Sequence, residues 1–142
     1  MIKALLSEFW KWANVSFDEY RTDETVFYKK YHLVIEEFSF PKWNELLQAA
    51  KEQISEGSCS EDVFTVLALD NEREELLDFI EENTTDSQLE ALARNAISFP
   101  LWNARWQIAE ILKRRDTSFS NEYLLLYQKD PVEYVRRRAA FC

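Results

Sequence analysis

Two stretches of this chain match one another without a gap. Ser39 to Ile54 reads SFPKWNELLQAAKEQI and Ser98 to Lys113 reads SFPLWNARWQIAEILK, with seven of sixteen positions identical. Unrelated segments would share about one, so an internal repeat is the strongest constraint on the fold. The offset is 59 residues, from 39 to 98. Apolar positions keep matching beyond the identities: Phe64 meets Tyr123, Val66 meets Leu125, Leu67 meets Leu126 and Leu76 meets Val135. A duplicated unit covering 39–82 and 98–141, within a single domain spanning 1–142, is the simplest account.

Each copy has helical periodicity. Trp43, Leu47, Ala50 and Ile54 recur at steps of three to four, as do Trp102, Trp106, Ala109 and Leu112. Pro41 and Pro100 stand where these helices begin, a position where a missing N–H costs little. Ser58 with Glu61 and Thr85 with Gln88 have the spacing of capping boxes. Asn71 with Glu74, and Asp130-Pro131 with Glu133, signal further helix starts. With one Gly and three Pro in 142 residues, there is little material for β-turns. The spacing predicts helices near 2–13, 23–38, 42–56, 60–69, 72–82, 87–97, 101–115, 120–128 and 131–141. From the second onward they group into four pairs: 23–56, 60–82, 87–115 and 120–141. Ile2, Leu5, Leu6, Phe9 and Ala13 give the first helix an apolar face, which docks it on the domain as a cap.

The segment Asp130 to Ala140, DPVEYVRRRAA, resembles the second-helix signature of HEAT-like repeats, in which Asp opens the helix and a Val-Arg pair precedes small residues. The unit of about thirty residues is similar to the short type named after phycobilisome lyases; a usual HEAT unit is roughly 40–47. Asp70-Asn71-Glu72 is a weaker echo, with Leu76-Leu77 where Val-Arg is expected. The resemblance implies an all-α fold, a right-handed α-α superhelix of about four helix pairs behind an N-terminal capping helix.

Charge is unevenly spread. The net charge is −9. Residues 36–92 hold sixteen acidic side chains against three basic (Lys42, Lys51, Arg73), whereas 93–142 hold five against nine. Such a block can steer a basic partner into contact. The candidate partner-binding residues are therefore Glu72, Glu74, Glu75, Asp78, Glu81, Glu82 and Asp86, whose mutual repulsion has no evident structural return. Asn44, Asn103 and Trp102 join them. Each Asn follows its Trp in both copies without being needed for helix propensity. The Lys113-Arg114-Arg115 and Arg136-Arg137-Arg138 clusters read as complements to helix C-termini.

Chemistry is sparse. One Gly leaves no phosphate-cradling loop, and one His (His32, among Tyr28, Tyr31, Leu33 and Val34) leaves no His-based metal set. His32 reads as a packed or half-exposed helical residue. Cys59 and Cys142 read as free thiols, and the carboxylates as exposed helical runs. No catalysis, cofactor or metal is expected. No segment has the length to span a membrane, and the N-terminus is interrupted too early for a secretory signal, so a cytoplasmic monomer is expected. Small acidic bacterial proteins of this type often serve as immunity proteins. The leading expectation is therefore a binder that neutralises a basic, nuclease-type toxin. A HEAT-like adaptor with a non-toxin partner comes second. A relative of HEAT-like DNA glycosylases comes third, since a pI near 4.7 opposes nucleic-acid binding.

Overall fold

The computed structural model describes residues 1–32 and 34–141, and among them every regular element is helical. Ten α-helices follow one another: α1 (Ile2–Ala13), α2 (Phe17–Thr22), α3 (Val26–Tyr31), α4 (Trp43–Ser55), α5 (Glu61–Leu69), α6 (Glu75–Asn83), α7 (Asp86–Ala96), α8 (Trp102–Arg115), α9 (Ser120–Tyr127) and α10 (Glu133–Ala139). A 3₁₀ turn at Glu37–Ser39 precedes α4. No helix among the described residues is long and apolar enough to cross a membrane.

The helix bounds keep the sequence offset: 43 lies 59 before 102, and 61 lies 59 before 120. Thr85 caps α7 as expected, accepting from the Gln88 amide while Gln88 reaches back to the Thr85 amide. The cap of α5 falls two residues later than expected, on Ser60, whose hydroxyl accepts from the Val63 amide. Ser58 instead accepts from the Ser60 amide.

The predicted helix over 23–38 does not form as one unit. Ser16 and Glu19 close a capping box that starts α2, and Asp23 ends it in extended conformation. His32 ends α3 in the left-handed region at φ 51° and is exposed rather than packed. The run VFYKKY is short and crowded with aromatic and β-branched side chains, so little local propensity resists the break. Leu33 and Cys142 lie outside the described residues.

This break changes the pairing. α4 packs on α1, with Phe9 meeting Phe40 and Trp43. Later neighbours stack in order: α4 on α6, α6 on α8 and α8 on α10. α8 is also covered by α5, α7 and α9, so Asn103 to Ala109 are all buried.

One core unites α1 with the later helices, from Phe9 through Leu46, Leu67, Ile80 and Leu92 to Ile108 and Tyr127. At one end of this core an aromatic knot of Phe9, Trp12, Phe27 and Phe40 holds the connecting segment against α1. Burying four such rings contributes several kcal/mol, at about 1.5–3 kcal/mol for a large side chain.

An acidic cleft at the start of α8

The connecting segment between α1 and α4 crosses the molecule and ends one carboxylate on the N-terminus of α8. Leu101, the N-cap there, offers no side-chain acceptor. Glu24 supplies one from 78 residues away, accepting from the amides of Trp102 and Asn103, the latter at 3.0 Å. A helix start leaves its first N–H groups unpartnered, and an anion is favoured at its positive end. Burial pushes the Glu24 carboxyl up to about 7, against the downward pull of those two donors.

Around this contact lies a cleft of about 230 Å³, lined by Glu24, Thr25, Tyr28, Glu36, Glu37, Asn71, Glu72, Trp102 and Asn103. Glu37 is buried and accepts from the Tyr20 hydroxyl at 3.1 Å. Burial raises its pKa. Burial also raises Glu36, and the nearby charge of Glu72 adds to it. Behind the cleft, Asp70 is 1 % exposed and accepts from the Leu76 amide at 2.7 Å, tying down the turn into α6. Its carboxyl is pushed up to about 7, again by burial. Tyr20 is fully buried and lifted well above the usual phenol range.

The chemistry of the lining suits positive charge where its carboxylates are ionised. Tyr28, 53 % exposed, and Trp102, partly buried, line the cleft together with the carboxylates. Proton transfer is poorly served: both Glu24 oxygens are occupied by amides, and Glu37 is tied to Tyr20. Among the described residues, no group of three or more His, Cys, Asp or Glu is placed to hold a metal ion.

The cleft unites three of the residues singled out in the sequence, Trp102, Asn103 and Glu72. Asn103 is internally bonded as well: its side-chain oxygen accepts from the Trp106 indole at 2.8 Å. The α6 acids are elsewhere and largely engaged. Glu75 pairs with Lys51 at 3.1 Å. Asp78 and Glu81 both pair with Arg114, at 3.3 and 3.1 Å, and Asp86 pairs with Arg115 at 2.6 Å. Arg114 continues to Glu110, which also holds Arg138. Ion pairs thus step from α4 to α6, α8 and α10, and the dense acid of α6 has a structural return. Glu74 caps α6 in the left-handed conformation, at φ 53°, and Glu82 is exposed. Asn44 is exposed on α4, apart from this cleft.

No protein-family model matches the chain, and no curated protein or solved structure matches it significantly.

Sequence reasoning missed Glu24, Glu37, Tyr20 and Tyr28. The available signal was faint: carboxylates set in the aromatic run from Phe17 to Phe40, the surroundings that bury an acid.

Proposed function

We propose that this protein is a non-catalytic protein-binding module that recognises a basic protein, most concretely an immunity protein that neutralises a nuclease-type toxin. The stacked helix pairs are read as a short right-handed superhelix of the HEAT-like type. One observation carries the proposal. Residues 36–92 contain three cations, and all are engaged: Lys42 with Glu8, Lys51 with Glu75, and Arg73 over the Phe38 ring at 4.9 Å. Glu36, Glu45, Glu52, Glu56, Glu72, Glu74 and Glu82 have no ion pair among the described residues. The negative surface is therefore uncompensated even after the internal ladder is complete. A basic partner gains long-range steering and a favourable orientation from such a field.

Co-expression with the product of the neighbouring reading frame tests this. A basic protein should co-purify and its toxicity should be suppressed. Reversal of Glu36, Glu72 and Glu82 to Lys should weaken the complex by about tenfold or more, and less so at high salt. Absence of any complex, or a complex indifferent to these reversals, overturns the reading.

A HEAT-like adaptor is the second reading. Leu125 and Leu126 favour it, standing 51 % and 44 % exposed on α9 where an apolar partner can reach them.

A further inference from the structure

The repeat allows one half of the protein to be compared with the other. On α8, one face carries Asn103, Ala104, Gln107 and Ile111, and all four are buried. α5 covers that helix, and Gln107 donates from its side-chain nitrogen to the Leu67 carbonyl of α5 at 2.7 Å. A helix thus docks on this face.

At the 59-residue offset the same positions on α4 are Asn44, Glu45, Gln48 and Glu52. These are exposed. Asn and Gln are retained, whereas glutamates replace Ala104 and Ile111, and Glu56 replaces Arg115 one turn on. Two shallow depressions of about 370 and about 500 Å³ run along this face and share Gln48 and Glu52. Met1 and Ala49 line the first, and Phe79 of α6 lines the second, with the Lys51 ammonium 5.6 Å from its ring centre. The nearest cation, Lys51, is committed to Glu75.

We infer that the outer face of α4, which α1 leaves exposed, is a docking groove for a cationic amphipathic helix of the partner protein. The face is exposed where its counterpart on α8 is buried, and the charge of the occupant follows from complementarity. Apolar side chains of the incoming helix meet Met1 and Ala49, and its Lys or Arg side chains meet Glu45, Glu52 and Glu56. Glutamates in place of Ala and Ile keep the face hydrated when it is empty, which suits an exchangeable helix. This inference rests on the basic-partner reading and narrows it to one surface.

The test uses the full chain and a fluorescein-labelled amphipathic Leu/Lys helix of about five turns, with a Leu/Glu helix as control. Anisotropy should show binding of the Lys helix alone. The triple variant Glu45→Lys, Glu52→Lys, Glu56→Lys should weaken binding by about tenfold or more. Reversal of Glu61, Glu122 and Glu133, exposed elsewhere, should change it by less than about twofold. Thermal melts check that both variants fold, and amide chemical-shift changes should centre on residues 44–56. Equal losses in both variants, or shifts centred on the Glu36–Glu72 cleft, overturn the groove but leave the basic-partner reading standing. If neither this helix nor any basic protein binds, both fall. A doubling of the sedimenting mass that the α4 variant abolishes makes the occupant a second copy of this chain and overturns the partner assignment.

Discussion

At the scale of single residues, the buried charges divide into one that is matched and three that are not. Arg105 and Asp130 form a two-point pair, with Nε to Oδ2 at 2.7 Å and Nη2 to Oδ1 at 3.2 Å, and Arg105 also donates to the Phe99 carbonyl. Removing one partner strands the other, so Arg105→Ala should lower stability by about 3–5 kcal/mol in urea unfolding. Leu46 occupies the matching position in the first copy, so Arg105→Leu combined with Asp130→Asn should recover most of that loss. Equal losses in the single and double variants would show that the pair is not the cause. Glu24, Glu37 and Asp70 lack such a cation and have raised pKa values. The folded state then holds their protons more tightly than the unfolded chain, so their contribution is complete below about pH 4 and is lost as pH rises, through about 7 for Glu24 and Asp70. The urea midpoint should therefore be higher near pH 5 than near pH 8, and Glu24→Gln with Asp70→Asn should flatten the difference. A midpoint that rises with pH over this window contradicts the assignment.

At the scale of elements, the contrast is between α8 and the segment that caps it. α8 is wrapped by five helices, whereas α2 and α3 are held by the aromatic knot, by Tyr20 on Glu37 and by Glu24 on α8. Backbone amides of 26–31 should exchange with solvent much faster than those of α8, and Glu24→Ala should speed exchange across 17–31 while leaving α5 unchanged. Uniform protection would mean that the segment opens only with the whole molecule. This contrast also explains what could be read from the sequence. A helix with a strong apolar stripe, such as α4, announces itself through Trp43, Leu47, Ala50 and Ile54, and one with a side-chain cap, such as α7, through Thr85 with Gln88. The 23–38 segment misleads because its aromatics satisfy any period, and the left-handed turn at His32 has no Gly or Asn to mark it. The site was half legible. Trp102, Asn103 and Glu72 stood out by repetition or charge, but Glu24 acts across 78 residues, a distance that no local pattern encodes. The pairing of Arg114 with Asp78 and Glu81 was hidden for the same reason.

At the scale of the whole molecule, charge acts in opposite directions on folding and on association. The ladder from Lys51 through Glu75, and from Asp78 and Glu81 through Arg114 to Glu110 and Arg138, neutralises part of the acidic block. Exposed pairs of this kind contribute only about 0–1 kcal/mol each, because water and salt screen them. What remains is a surplus of glutamates on a chain of net charge −9, and their repulsion opposes the compact state. Added salt shortens the range of that repulsion to about 8 Å at physiological strength and less above it. The melting temperature should accordingly rise by a few degrees as NaCl increases toward about 0.5 M. Association with a basic partner runs the other way, since the same screening removes the attraction that draws it in, and affinity should fall over that range. Differential scanning fluorimetry and binding titrations in matched salt series read both trends. A melting temperature that falls with salt would mean that the ladder, rather than the surplus acid, dominates the electrostatics of the folded chain. Affinity indifferent to salt would place recognition on apolar surface such as Leu125 and Leu126 instead.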